Sequence, residues 1–112
     1  MSITIEDFEK EFINKFSQEH QDYIVNFCNT FQKAFPGILD KEVLIKRIST
    51  ISSIDQVEKL NHDEGGRTEY SDGKNVIKYI DDLSEKDKKN VIYHELLHVL
   101  SRHTEEYYND AA

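Results

Sequence analysis

Apolar side chains recur every fourth residue along much of the first 35 positions, and the stripe starts with Phe8, Phe12 and Phe16. It continues at the same spacing through Tyr23, Phe27, Phe31 and Phe35. Such a spacing places the aromatic rings on one side of an α-helix, so it predicts one long helix or two shorter ones. Pro36 and Gly37 end this segment, because proline cannot continue the helical hydrogen-bond ladder and glycine adopts conformations that other residues avoid.

A second helical segment is predicted after Asp40, whose carboxylate can cap the first amide groups of a helix. Its apolar side is formed by Val43, Leu44, Ile48 and Ile51. The β-branched residues in this run also fit a strand, which stays open as an alternative. With the helix favoured, residues 1–60 form the helical part of the chain.

A hairpin is predicted next, after a polar loop at residues 61–67 that contains two glycines. Strand-like runs at Thr68–Tyr70 and Asn75–Ile80 flank a turn with Asp72-Gly73 at its centre, and an Asp-Gly pair between such runs is a strong hairpin signal. The side chains of the second run alternate between the two faces of the strand. We expect this second run to be an edge or near-edge strand.

The last predicted element is a helix from Glu85 to about His103. Ser84 can cap its first turn, and the acidic Glu85 and Asp87 suit the positive end of the helix dipole. Together, the elements predict an α+β fold in which N-terminal helices pack on a short, mostly antiparallel sheet and on this last helix. Residues 61–112 then comprise the hairpin, the helix and a short tail.

The size and charge of the chain exclude several classes of domain organisation and binding partner. A chain of 112 residues has room for one domain, 1–112, and its formal charge of −8 repels nucleic acid. The sequence has no stretch of 18 apolar residues and no leader-like N-terminus. This predicts a leaderless, soluble, cytoplasmic protein without a membrane partner, or a fragment of a longer protein. Cys28 is the single cysteine and cannot form an intramolecular disulfide.

The last helix carries the sequence His94-Glu95-Leu96-Leu97-His98. Residues four apart lie about 40° apart around a helix and roughly 6 Å apart along it, so both imidazoles can reach one ion. Glu95 follows the first histidine directly, where its carboxylate can reach a water at the metal without binding the metal itself. The arrangement predicts Zn²⁺ as the cofactor, His94 and His98 as its ligands, and Glu95 as the catalytic general base.

Apolar residues flank this motif on both sides: Val91, Ile92, Val99 and Leu100. A solvated helix would carry charges at such positions, so the motif helix is expected to be buried on most sides. Burying two histidines and a glutamate without a metal costs free energy, because their polar atoms lose their hydration. The flanks therefore favour a metal site over three unrelated polar residues.

The segment from Asn75 to His103, with its strand, the Ser84 cap and the apolar motif helix, resembles the active-site region of zincin metallopeptidases. It is similar in particular to ImmA/IrrE-type peptidases and to the very small minigluzincins. The resemblance implies a zincin-like fold and hydrolysis of peptide or protein substrates by a zinc-dependent endopeptidase. It also implies that the strand before the motif helix pairs with extended substrate, a role that falls on Val76, Ile77 and Lys78. An exposed strand edge offers its backbone groups to a peptide in this way.

A catalytic zinc normally has a third protein ligand, and 14 residues follow His98. In an unbroken helix His103 would lie about 180° from His94 and point away from the metal. Glu105 and Glu106 are the candidates suggested by the glutamate zincins, in which a following helix supplies the ligand. Three arrangements stay open: a sharp turn after the motif, a ligand in a part of the protein beyond this chain, or zinc held by two histidines and solvent.

The leading hypothesis from the sequence is a small zinc metallopeptidase domain. The alternative is a catalytically incomplete or inactive zincin-like domain that acts as a binding or regulatory module, with structural zinc or none. A metal with an open coordination position favours catalysis, whereas a metal closed by four protein ligands favours binding.

Overall fold

A computed structural model describes residues 2–101, which form an α+β fold of four α-helices and a three-stranded sheet. In chain order the elements are α1 (Lys10–Ile13), α2 (Gln18–Ala34), α3 (Lys41–Ile48), β1 (Ile51–Val57), β2 (Gly66–Ser71), β3 (Lys74–Ile80) and α4 (Glu85–Leu100). Short 3₁₀ turns occur at Ile5–Asp7 and Asn61–Asp63. Within the described residues, no helix combines the length and the apolar character needed to cross a membrane.

The aromatic stripe of the first 35 residues is not one continuous helix: Phe12 lies in α1, Tyr23, Phe27 and Phe31 lie in α2, and Phe8 and Phe16 lie outside the helices. α2 starts after Ser17, whose hydroxyl accepts a hydrogen bond from the backbone N–H of His20 at 3.2 Å. Phe8, Phe12 and Phe16 are buried before this break, and the ring centroids are 5.0 Å apart in the first pair and 4.8 Å apart in the second. The serine cap thus separates α1 from α2, while the packed rings hold the N-terminal segment against the core.

α2 packs against α4 through aromatic side chains. The Tyr93 ring of α4 lies edge-on to Phe27 and Tyr23 of α2, with centroid distances of 5.6 and 6.4 Å. Ile24 and Cys28 fill the buried side of α2, and burial raises the pKa of the Cys28 thiol to about 12. Cys28 is therefore a protonated core residue, and this packing positions one side of the helix that carries the motif.

The second predicted helix is confirmed as α3, but the prediction of a helical first part is wrong for residues 51–57, which form β1. Ile48 ends the helix, while Ile51 and Ile54 are buried in the strand. The pairing of β1 with β3 shifts register between Ile51 and Ser53, so side chains three positions apart both face the core. Their spacing therefore imitates the period of a helix.

The strand order is β1-β3-β2, with β3 parallel to β1 and antiparallel to β2. The sheet is thus mixed rather than mostly antiparallel. Of the two predicted positions of Asn75–Ile80, the edge position is wrong and the near-edge position fits, because β3 is the central strand of three. A hairpin signal reveals only the antiparallel neighbour of a strand. The parallel neighbour is joined to β3 through a longer connection and comes from the segment whose spacing imitates a helix.

The β2–β3 hairpin itself is confirmed. Asp72 and Gly73 both have positive φ, 52° and 77°, as the two-residue type I′ turn requires. Asn75, Ile77 and Tyr79 of β3 are buried, while the residues between them are partly exposed. The predicted alternation is therefore present, and it places one face of β3 in the core.

α4 begins at the predicted residue, Glu85, and ends at Leu100, before the predicted end near His103. The Ser84 hydroxyl accepts a hydrogen bond from the backbone N–H of Asp87 at 3.1 Å, and the helix covers Glu85–Leu100. At its end, Nη1 of Arg47 from α3 donates to the carbonyl oxygen of Leu100 at 2.9 Å. This guanidinium satisfies a carbonyl group that a helix end leaves without an internal partner, and it ties the end of α4 to α3.

Candidate metal centre

His94 and His98 lie on consecutive turns of α4, and their imidazole rings approach each other edge to face. The two Nε2 atoms are 3.0 Å apart, and the ring planes are nearly perpendicular at 88°, with centroids 4.5 Å apart. Together with a carboxylate oxygen of Glu95, the candidate ligand atoms all lie within 4.8 Å of one another. The three residues predicted from their spacing are thus brought together in the structure.

The distance between the imidazole nitrogens fits two ligands of a single zinc ion. A tetrahedral zinc with Zn–N bonds of about 2.0–2.1 Å requires about 3.3–3.4 Å between two nitrogen ligands. The observed 3.0 Å differs from this value by a few tenths of an ångström, which small side-chain rotations can supply. At the observed distance one neutral imidazole can also donate its N–H to the other, and a metal would replace that hydrogen bond.

Exposure changes sharply across the motif. His94 is exposed, His98 is half-buried, and Glu95 is only 6% exposed. Leu97 is 42% exposed, so the expectation of a helix buried on most sides is wrong for this turn. The core covers only the opposite side of α4, through Ile92, Leu96, Val99 and Leu100. Within the described residues, a ligand can therefore approach the imidazoles from the side opposite the core.

Glu95 extends from α4 to β2, where the hydroxyl of Thr68 donates a hydrogen bond to its Oε1 at 2.8 Å. Both residues are 6% exposed. A buried carboxylate needs such donors, because the loss of its hydration is costly unless it is hydrogen-bonded. Strand alternation places Thr68 on the inner face of β2, but its partner follows only from the packing of α4 on the sheet. The sequence therefore did not identify Thr68 as a site residue.

Gly66 allows α4 to approach β2 this closely. A Cβ atom at Gly66 would overlap Cγ1 of Val91 and would lie 3.4 Å from both Cγ and Oε2 of Glu95. Valine is stiff at χ1 in a helix, so rotation of Val91 does not readily relieve such an overlap. The sequence does not reveal this role, since the Gly65-Gly66 pair indicates only a loop.

Replacing Gly66 with alanine is expected to destabilise the protein by about 1–3 kcal/mol, because a methyl group added to a packed contact forces its neighbours to shift. The double variant Gly66→Ala/Val91→Ala should lose less stability than the two single changes together, since Val91→Ala removes the overlapping methyl group. Gly65→Ala is the matched control: its Cβ would lie 3.4 Å from Cγ2 of Val91 and should cost less. Urea unfolding measures these differences, and equal losses for both glycines would contradict the close packing.

The predicted substrate strand has no free edge. Ile77 pairs with Ile54 of β1 on one side and with Thr68 of β2 on the other, and Val76 and Lys78 are likewise paired on both sides. Their backbone groups are already used within the sheet. Backbone pairing of an extended substrate with Val76, Ile77 and Lys78, as the resemblance implies, is therefore excluded in this sheet.

The edge strand beside the motif is β2. The N–H of Ile80 donates to the carbonyl oxygen of Gly65 at 3.0 Å, and hydrogen-bonded pairs alternate from there toward the turn. By this alternation the backbone N–H and C=O groups of Gly66, Thr68 and Tyr70 point away from β3. Within residues 2–101 no strand pairs with this outer edge, which can therefore accept an extended segment of another chain.

The candidates for a third metal ligand, His103, Glu105 and Glu106, lie outside the described residues. α4 ends at Leu100, and Ser101 follows as its C-cap. The motif helix thus ends between the second histidine of the motif and these three residues.

Comparison with known proteins identifies no relative of this chain. The chain matches no protein-family model, no curated protein and no solved structure. Support for a function comes from the motif, the distances between its atoms and the burial of Glu95.

Proposed function

We propose that the chain is a zinc-dependent metallopeptidase domain in which His94 and His98 hold the ion and Glu95 is the general base. The observation that carries this proposal is the convergence of the two Nε2 atoms, 3.0 Å apart, beside a buried carboxylate held by a hydrogen bond. Burial of a glutamate costs free energy, and a role in proton transfer accounts for its placement here.

Each residue of the site has a separate role in the proposed hydrolysis of a peptide. When bound, zinc would lower the pKa of a coordinated water and polarise the carbonyl group of a peptide. Glu95 accepts a proton from the water whose oxygen attacks the carbonyl carbon, and then delivers a proton to the amine as the C–N bond breaks. Because Thr68 occupies Oε1, we assign the proton exchange to Oε2.

The substrate is proposed to be an extended peptide that pairs with the outer edge of β2. The outward backbone groups of Gly66, Thr68 and Tyr70 support this orientation, since they lack a strand partner within residues 2–101. A peptide bound along this edge would pass close to Glu95, which is hydrogen-bonded to the same strand. The substrate strand of the proposed enzyme is therefore β2 rather than β3.

The third protein ligand is proposed to come from the residues after α4, with His103, Glu105 and Glu106 as candidates. The end of the helix at Leu100 supports this source, because the fixed angles of the helix apply only to residues within it. A ligand from another part of the protein, or solvent in its place, remains compatible with the two imidazoles.

Zinc content and peptide cleavage of the purified protein test this proposal. We expect one zinc per chain, cleavage of a peptide library detected by mass spectrometry, loss of cleavage with a chelator, and recovery when zinc is added back. Zinc without cleavage, with four protein ligands in its X-ray absorption spectrum, would indicate a binding module with a structural metal instead. Failure to bind stoichiometric zinc would overturn the proposal.

A further inference from the structure

Thr68 connects the outer edge of β2, which has no strand partner within residues 2–101, to the proposed general base. Its hydroxyl donates to Oε1 of Glu95 at 2.8 Å, and both residues are 6% exposed. Its backbone N–H and C=O point away from β3, by the alternation of pairs along the hairpin. The same residue thus faces Glu95 with its side chain and the outer edge with its backbone.

The hydrogen bond from Thr68 determines which oxygen of Glu95 is available. An ionised carboxylate only accepts hydrogen bonds, so the threonine hydroxyl directs its hydrogen to Oε1. Oε2 lies near Gly66, where even a Cβ atom would come within 3.4 Å, so the missing side chain leaves room beside it. Without the hydroxyl, the carboxylate would lose this donor and would be free to rotate beside the imidazoles, whose ligand atoms lie within 4.8 Å of one of its oxygens.

We infer that Thr68 is a positioning residue that holds Glu95 in its proton-accepting orientation and aligns it with a peptide bound along β2. The inference rests on the proposed function of the site. A hydrogen bond to a charged group is strong enough to change a rate or an equilibrium about 10–100-fold. Because Glu95 is not a metal ligand in this mechanism, the cost should fall on the chemical step.

Two variants of Thr68 separate the hydroxyl from the shape of the side chain. Thr68→Val removes the hydroxyl at nearly constant volume, and it should lower kcat about 10–100-fold. KM and zinc affinity should stay within about twofold of the wild type, since neither the strand backbone nor the histidines change. Thr68→Ser should recover most of kcat, and the exposed Thr30→Val in α2 serves as the unaffected control. The hydroxyl also stabilises a buried carboxylate, so some loss of thermal stability is expected in either case. A merely structural role would lower zinc affinity together with kcat, and serine would not restore kcat selectively.

A readout independent of turnover uses acetohydroxamate as a probe of the zinc-loaded protein. A hydroxamate that chelates the metal can share its acidic hydrogen with the general base, so Thr68→Val should weaken its affinity about tenfold. Thr68→Ser should restore this affinity.

The outcomes distinguish the inference from the proposed function. If Glu95→Gln abolishes cleavage while Thr68→Val keeps wild-type kcat, the inference is overturned and the proposed function stands. If the wild type binds zinc but cleaves no peptide, the proposed function fails. In that case the acetohydroxamate affinity decides: weakening by Thr68→Val with recovery in Thr68→Ser supports the positioning of Glu95, and unchanged affinity overturns it. A wild type that binds no zinc overturns both.

Discussion

Replacing both His94 and His98 with alanine is expected to lower zinc affinity by well over about 100-fold, since losing only the partner of a metal ligand already costs about 10–100-fold. The double variant removes both converging Nε2 atoms, and the remaining Glu95 is engaged by Thr68. The fold should survive, because His94 is exposed and His98 is half-buried. Competition with a chromophoric chelator measures the affinity, and circular dichroism during thermal unfolding reports the fold.

His20→Ala is the matched control for this experiment. His20 lies in α2, with its Nε2 3.0 Å from the hydroxyl of Tyr79. Burial lowers the pKa of this imidazole below its ordinary value near 6.5, so it is neutral at pH 7 and chemically able to bind zinc. Its replacement should nevertheless leave zinc affinity unchanged. Equal zinc affinity in the wild type and the His94→Ala/His98→Ala variant would contradict the proposed metal centre.

Replacing Glu95 with glutamine is expected to lower the rate of peptide cleavage about 10²–10⁴-fold, the range that general acid–base catalysis contributes. The amide oxygen of glutamine can still accept the hydrogen bond from Thr68, so the packing of α4 on β2 should persist. A neutral amide cannot take a proton from water at neutral pH. Zinc stoichiometry should stay at the wild-type value, and initial rates on a cleaved library peptide measure the loss.

Glu85→Gln provides the comparison within the same helix. Glu85 is exposed at the start of α4, where its Oε1 lies 3.1 Å from Nζ of Lys88. Surface pairs of this kind contribute at most about 1 kcal/mol, so this variant should keep its cleavage rate. Wild-type cleavage by the Glu95→Gln variant would show that another group acts as the base. Loss of zinc in that variant would show that the carboxylate binds the metal.

Several elements could be predicted because their signals are local. Ser84 caps α4 through the backbone three residues ahead, and Asp72-Gly73 adopts the positive φ angles of its turn without reference to other segments. Both features depend on a few consecutive residues, so they can be predicted from the sequence. The i,i+4 spacing of His94 and His98 is local in the same sense, since one helical turn brings their rings together.

The strand order of the sheet could not be predicted from local sequence patterns. Ile51 and Ile54 are three positions apart, a helical spacing, yet both face the core from β1 because the pairing with β3 shifts register between Ile51 and Ser53. A bulge of this kind depends on the neighbouring strand, so the isolated segment does not reveal it. Without β1, β3 has only one predicted neighbour, so its other side is predicted to be free for pairing with an extended substrate.

The sequence by itself determined the two imidazoles and the carboxylate of the site, because His94, Glu95 and His98 follow one another on a single helix and helical geometry is local. Only the tertiary structure decided that Glu95 is buried against Thr68, that Gly66 permits this approach, and that β2 borders the site. Thr68 and Glu95 are 27 residues apart in the chain. A contact over that distance depends on how the helix packs on the sheet, and the hydrophobic pattern of either segment alone does not specify it.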